Sequence, residues 1–546
     1  MFTTLLRKQQ CIKLTQRFCK VVAFAPKRKF KNAIKNSAKY KIWLALLGLA
    51  GASALLIAMS RNGAGISPDS VIYISTARNI ANGRGFVTYV DAPLVLQPPS
   101  YPAILGFIAL IFGVDPLLSA PIINAILFGF TLYLSGTLLL EHLKSFPFLA
   151  LIGTISLLVS IPLITVFLMA WSEPLFIFFL VVYLTSMSTY MKRKDIKSLL
   201  LLSLSTTLAC LTRYIGVVLI ATGILGTFLI WQGNIKTKYV HTVIFTSVSI
   251  LPLAMWIGRN YVLSGTFFGP RSPSLHPLQD NIGYTFGTIL HWYLPSLILH
   301  NPPLLLLLII IIGSFTGIVF AIAKIPFRVS FQHRTYPFIV FTIFFIIGYT
   351  GFLIISSTTT NYDPIGDRLL SPIVVPVTLL LFSVVTTFAR LLKARFTARV
   401  VDLAIIAGST LWLIYPTCAT GINIMHHFSE GTGYSARTWK SNQTIQYIRQ
   451  NTLSDCTIYT NGSDVIYLLL SMNVKSIPSK SSGAQTLADV SPLKGRFPQE
   501  GKACIIWFDQ ITWRNYLFTP SELLSVTNVE RVINLGDGTL YFVSRK

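Results

Sequence analysis

The chain has 546 residues, 53% of them hydrophobic and only 12% charged, against roughly 25% charged in soluble proteins. That balance excludes a soluble globular protein. The formal net charge of +26 does not indicate nucleic acid, because a nucleic-acid binder gathers its Lys and Arg on a folded polar face, whereas here they punctuate apolar runs.

Residues 1–41 form a basic tail, from Arg7 and Lys8 to Lys39, with no acidic residue. The positive-inside rule places it in the cytoplasm, and the first apolar run lies too far from Met1 for a cleaved signal peptide. Ile42–Met59 therefore reads as a retained first span. Residues 60–116 follow as a first external loop, in which Tyr101–Gly113 is apolar but too short to cross and reads as an interfacial helix. Leu117–Leu140, Leu149–Phe167 and Leu175–Met191 read as spans. Ser198–Trp231 is long for one span and short for two. Two spans with a tight turn at Thr212–Gly216 are preferred, because only then do Lys236 and Lys238 reach the cytoplasm. Thr242–Gly258, Pro303–Ile322, Tyr336–Ser356, Leu370–Phe388 and Val400–Cys418 complete the set, with Arg259–His300 as a polar external loop. The expected fold is an α-helical polytopic membrane domain over 42–418, with about eleven transmembrane helices of ~20 residues each.

Residues 426–546 change to mixed charge and short apolar runs, which predict a small extracytoplasmic α/β domain. CTIYTN, DVIYLLL, ACIIWFD, VERVINL and TLYFVS read as strands, with helical pieces at Thr438–Arg449 and Pro520–Leu524. Cys456 and Cys504 each lead a strand-like run. A disulfide between them is open if the region faces an oxidising compartment, while the tendency of free Cys to be buried favours two separate thiols. His426 and His427 lack spaced metal partners and read as a juxtamembrane polar turn. Asn442 and Asn461 match glycosylation sequons, which matter only in a eukaryotic secretory pathway.

The loops on the external side hold the residues that can carry chemistry. In SPDSVIYISTARNIANGRGF, Ser67 is placed as N-cap, Pro68 at the first helical position and Gly83 just past the end. Asp69 then sits in the first turn, where the helix dipole favours its carboxylate. The plainer reading is that it only caps the helix. Glu173 opens a span in WSEPLF, and Arg213, Arg259, Arg271 and Arg368 all fall on the same side. Each alone could snorkel to headgroups; together they offer bidentate phosphate binding opposite the carboxylates. Such a cavity suits a lipid-phosphate donor, whose good leaving group needs one base and cations to hold the phosphate.

The run Asp69, Tyr73, Ala77, Arg78 and Gly83, followed by QPPSYP, resembles the first external loop of the GT-C glycosyltransferases, in the branch of protein O-mannosyltransferases and aminoarabinose transferases. SEPLF, LTRY, Pro252–Asn260 and DPIGDRLLSPIVVP are similar to patterns of bacterial members. The resemblance implies inverting transfer of a sugar from a polyprenyl-phosphate donor at the outer face of a bacterial inner membrane. The acceptor would be a glycan, a lipid or a protein, and the surrounding partners membrane lipids rather than nucleic acid. It makes Asp69 the general base and Arg259, Arg368 and Arg271 the phosphate ligands. Glu173, Arg213, Arg78, Tyr73, Asp363 and Asp91 would shape the donor and acceptor pocket. Many relatives carry a second acid immediately after the first; here Ser70 stands there, with Asp91 as the candidate substitute, so no cofactor is established and a divalent metal is possible but not indicated. The rival reading is a transporter or flippase of lipid-linked sugar or phospholipid, in which no bond changes.

Overall fold

In the computed structural model, residues 27–230, 234–295, 298, 336–451, 453, 456–482, 485–486 and 490–546 are described. Most of the basic tail and the expected span Pro303–Ile322 lie outside them. The helices are α1 (Lys27–Met59), α2 (Pro68–Ala81), α3 (Ser100–Phe112), α4 (Pro116–His142), α5 (Pro147–Leu158), α6 (Ile161–Phe167) and α7 (Glu173–Arg193). They continue with α8 (Ile196–Cys210), α9 (Tyr214–Phe228), α10 (Ile235–Ser264), α11 (Leu278–His291), α12 (Tyr336–Thr359), α13 (Asp367–Lys393) and α14 (Ala398–Glu430). Among the described residues seven helices are long and apolar enough to cross a membrane, and the pair α5 and α6 would make an eighth. This confirms a polytopic helical chain without reaching the count of eleven.

Two differences follow from local chemistry. The expected span Leu149–Phe167 is bent by 53° between α5 and α6, because Pro162 enters the first turn of α6 and cannot continue the hydrogen-bond ladder of α5. Ser198–Trp231 does break, with α8 ending at Cys210 and α9 starting at Tyr214, so that Arg213 sits in the turn. The expected polar loop Arg259–His300 is corrected at its start, since α10 runs on to Ser264, and in its interior, where α11 forms.

The last expected span, Val400–Cys418, is only part of α14, which continues to Glu430 and stops at Gly431, where φ is +76°. Between Cys418 and Glu430 there is no proline, and Gly421 alone is too weak a break to end the helix, so the turn expected at His426 and His427 is not there. His427 is instead fully buried, with Nδ1 2.8 Å from Thr432 Oγ1 and Nε2 3.0 Å from the Gly63 carbonyl.

Beyond α14 lies an α/β module with α15 (Gln443–Gln450), β1 (Thr457–Thr460), α16 (Ser463–Leu470), β2 (Lys475–Ser476), β3 (Lys502–Phe508), α17 (Pro520–Ser525), β4 (Thr527–Asn534) and β5 (Gly538–Arg545). The sheet order is β2-β1-β3-β5-β4, parallel from β2 to β3 and antiparallel from β3 onward. DVIYLLL, expected as a strand, is α16. A short continuous apolar run does not separate a buried strand from a buried helix by periodicity, and here it makes the crossover between two parallel strands, which a helix ordinarily fills.

The expectation of two free thiols is corrected as well. Cys456 and Cys504 are bonded to each other, with Cα atoms 5.7 Å apart, because β1 and β3 are neighbours in the sheet. Both sequon asparagines are buried and used internally. Asn442 caps α15 by accepting from the Ile445 amide at 2.9 Å, and Asn461 exchanges two hydrogen bonds with the backbone of Phe508.

The disulfide closes a separation of 48 residues, a loop worth about 3–4 kcal/mol in chain entropy. The Cys456→Ala/Cys504→Ala double variant of the full chain is expected to lose about that much stability in the module. This is read as a lower melting temperature and faster proteolysis confined to residues beyond Gly431.

Candidate active site

Asp69 is positioned by a short polar device at the start of α2. Ser67 and Ser70 cap the helix reciprocally, with Ser67 N donating to Ser70 Oγ at 3.1 Å and Ser70 N to Ser67 Oγ at 3.4 Å. The cap is thus complete without Asp69, and the reading of Asp69 as a mere helix cap does not hold. Its carboxylate points elsewhere: Oδ2 accepts from Arg368 Nη2 at 2.6 Å and Oδ1 from Gln97 Nε2 at 3.3 Å.

Arg368, in the first turn of α13, is the hub. Its Nε donates to Glu173 Oε1 at 2.6 Å, and its plane lies over the Trp171 ring at 4.3 Å. Trp171 Nε1 in turn donates to Ser67 Oγ at 2.7 Å, so one indole supports both the arginine and the cap. The remaining nitrogen, Nη1, has Asp363 Oδ2 at 3.9 Å, and that aspartate is 84% exposed. Glu173 opens α7 with its side chain wholly inaccessible, and its Oε1 also pairs with Arg213 from the turn between α8 and α9. Its other oxygen, Oε2, has no hydrogen-bond partner among the described residues. Tyr73, buried beneath, lies with its hydroxyl 3.2 Å from Ser172 Oγ.

Two carboxylates against two guanidinium groups leave this cluster neutral, which is what permits it to be buried. Burial opposes the ionised form of Asp69, but Arg368, the more distant Arg213 and the Gln97 amide outweigh it and hold the carboxyl below its usual range. Asp69 remains one-third exposed where Glu173 is sealed, so it is the carboxylate that faces outward. Burial, reinforced by the charges of Asp69 and Glu173, pushes the Tyr73 hydroxyl up, so it stays protonated.

Asp69, Tyr73, Glu173, Arg213 and Arg368 thus come together, with Asp363 at the rim. The others do not join them. Arg78 pairs with Asp115 at 2.8 Å, and Asp91 lies on an exposed turn with Arg84. Arg259 donates to the carbonyls of Leu94 at 2.7 Å and Phe86 at 3.4 Å, and Arg271 to that of Leu96 at 3.3 Å. Tyr214 donates to the Val95 carbonyl at 3.1 Å. Phe86 O already accepts from Leu94 N at 2.9 Å, but Leu94, Val95 and Leu96 lie in an irregular stretch whose carbonyls are met by these side-chain donors, and the next residue is Gln97. Gln97 opens QPPSYP and Trp171 opens WSEPLF, but the sequence assigns neither a role in the site. The PP dipeptide after Gln97 is a signal of fixed backbone, but nothing local links either residue to Asp69.

No family model matches the chain, and no curated protein matches it in sequence. Among solved structures it is similar to ArnT from Cupriavidus metallidurans in the apo state, with a TM-score of 0.59 at 10% identity over 92% of this chain and 97% of that one. It is likewise similar to the same protein bound to undecaprenyl phosphate, with a TM-score of 0.57 at 10% identity over 92% and 98%. The archaeal oligosaccharyltransferase AglB from Archaeoglobus fulgidus, in complex with an inhibitory peptide and a dolichol-phosphate, aligns at 0.46 and 12% identity over 85% and 69%. At such identities the likeness to ArnT is one of fold, and the fold is GT-C, as the resemblance in the loops implied.

Replacing Arg368 by Gln would strand the sealed Glu173 with one partner and leave Asp69 without its ion pair, at a cost of about 3 kcal/mol or more. A carboxyl whose pKa is lowered on folding stabilises the native state above its unfolded pKa, and that contribution is lost as pH falls through the folded value. In Arg368→Gln this contribution is absent, so melting temperature is expected to fall at neutral pH and to depend less on pH between about 5 and 3.

Proposed function

We propose that the protein is a membrane glycosyltransferase that moves a sugar from a polyprenyl-phosphate donor to an acceptor on the non-cytoplasmic face, with inversion at the anomeric carbon. The observation that carries this reading is the outward-facing Asp69 carboxylate, held by Arg368 against a sealed Glu173, within a fold that ArnT shares and in which ArnT has been seen bound to undecaprenyl phosphate. The Cys456–Cys504 disulfide supports an extracytoplasmic module, since such bonds persist in oxidising compartments.

In this reading Asp69 Oδ1 takes the proton of the acceptor hydroxyl as its oxygen bonds to the anomeric carbon. The bond from that carbon to the phosphate oxygen breaks on the opposite face, and polyprenyl phosphate leaves with the bonding pair. A carboxylate with a depressed pKa is a weak base, which suffices because the departing phosphate needs no protonation. Arg368 Nη1, the nitrogen of the guanidinium not engaged by Asp69 or Glu173, is the group that meets the phosphate. Arg213 neutralises Glu173 behind it. Arg259 and Arg271, engaged by the carbonyls of Phe86, Leu94 and Leu96, hold the loop that carries Gln97 rather than the phosphate.

Purified protein supplied with a polyprenyl-phosphate sugar and a mixed acceptor pool from cell envelopes is expected to release polyprenyl phosphate. Asp69→Asn should lower this at least a hundredfold, the scale of a lost general base, with donor affinity within a few-fold of the parent. Unchanged turnover in Asp69→Asn removes Asp69 from the chemistry. Movement of the donor across proteoliposomes without release of polyprenyl phosphate assigns the protein to transport.

A further inference from the structure

The C-terminal module reaches the Asp69 loop through the backbone. Residues Gly65 and Ile66, just ahead of the cap of α2, are paired on both sides. On one side Gly65 N donates to the Leu168 carbonyl at 2.8 Å and Ala170 N to the Gly65 carbonyl at 2.9 Å, three residues before Glu173. On the other, Ile66 N donates to the Thr432 carbonyl at 3.2 Å and Tyr434 N to the Ile66 carbonyl at 2.8 Å. The approach is so close that a Cβ at Gly433, where φ is +62°, would overlap the Ile66 carbonyl. The segments bearing Asp69 and Glu173 therefore hang from one three-chain brace, whose third chain is the hinge between α14 and the module.

That third chain is tied into the module by a buried charge. Tyr434 Oη donates to Asp464 Oδ2 at 3.0 Å, and Arg514 Nη2 donates to the same oxygen at 2.6 Å. Asp464 is 2% exposed, and Arg514 also donates to the Asn461 carbonyl at 2.5 Å. A hydrogen bond to a buried, ion-paired carboxylate is among the stronger ones a tyrosine makes.

We infer that Tyr434 is a positioning residue: through its bond to Asp464 the C-terminal module fixes the 432–434 chain, and through that chain the spacing of Asp69 from Glu173 and Arg368. The module is then a working part of the catalytic apparatus rather than an appendage. The catalytic consequence rests on the proposed role of Asp69; the mechanical link does not.

The test is Tyr434→Phe in the full chain, which keeps the ring against Trp439 and removes only the hydroxyl. Amide hydrogen exchange across Gly65–Val71 is expected to quicken about tenfold, the scale of one hydrogen bond to a charged group. Exchange in β3 and β5, together with an intact Cys456–Cys504 bond, reports that the module remains folded. Turnover is expected to fall about tenfold in kcat with donor KM unchanged, because the charges that bind phosphate are untouched. Asp464→Asn, which keeps an acceptor for Tyr434, is expected to fall between the two. Unchanged exchange at Gly65–Val71 overturns the link, and quickened exchange with unchanged kcat overturns the positioning role. Quickened exchange in a protein that turns over no polyprenyl-phosphate sugar upholds the brace and sinks the glycosyltransferase reading instead.

Discussion

A guanidinium group has three nitrogens with which it can meet carboxylates, and in this protein Arg368 gives Nε to Glu173 and Nη2 to Asp69. Glu173 starts α7, Arg368 lies in the first turn of α13 and Asp69 in the first turn of α2, so one side chain joins three helix starts that are remote in sequence. Acids at helix starts are stabilised by the exposed amides there, and the arginine gains from both. A buried charge tolerates little displacement when its partners are fixed by helices. The remaining polar contacts, from Trp171 on the Ser67 cap to Gln97 on Asp69, are arranged around that constraint.

Much of the helical frame was legible because membrane helices announce themselves by length and by the charges between them. The break at Arg213 follows from the same accounting, and the cap of α2 from four residues of local pattern. What could not be read is of two kinds. DVIYLLL is too short for its period to identify α16, and the length of α14 past Cys418 is decided by the buried contacts of His427 with Gly63 and Thr432. The other kind is pairing across the chain. The bond from Arg368 to Asp69 spans 299 positions and that from Arg368 to Glu173 spans 195, and no local pattern encodes either.

The arginines show the difference most clearly. Arg213, Arg259, Arg271 and Arg368 are all expected on the side that bears the carboxylates, and by residue type alone each can bind phosphate. Two of them, Arg213 and Arg368, meet carboxylates, while Arg259 and Arg271 meet backbone carbonyls. The distinction arises because the carbonyls of Leu94, Val95 and Leu96 take their donors from side chains outside the stretch. Loop backbone competes with ligand for the same guanidinium groups, and composition does not say which wins.

The fate of Asn442 and Asn461 bears on how the protein can be made. In a secretory pathway that attaches glycans, acceptor asparagines are modified as the chain emerges, before the module has closed around them. A glycan on either residue would then sit where Asn442 must cap α15 and Asn461 must face Phe508, and the module could not assemble over it. Its folding is therefore suited to compartments whose machinery ignores these sequons, and the hydroxyl residues of the sequons offer no free way round, since Thr444 Oγ1 donates to Asp537 Oδ1 at 2.7 Å and Ser463 Oγ lies 2.9 Å from Ser476 Oγ.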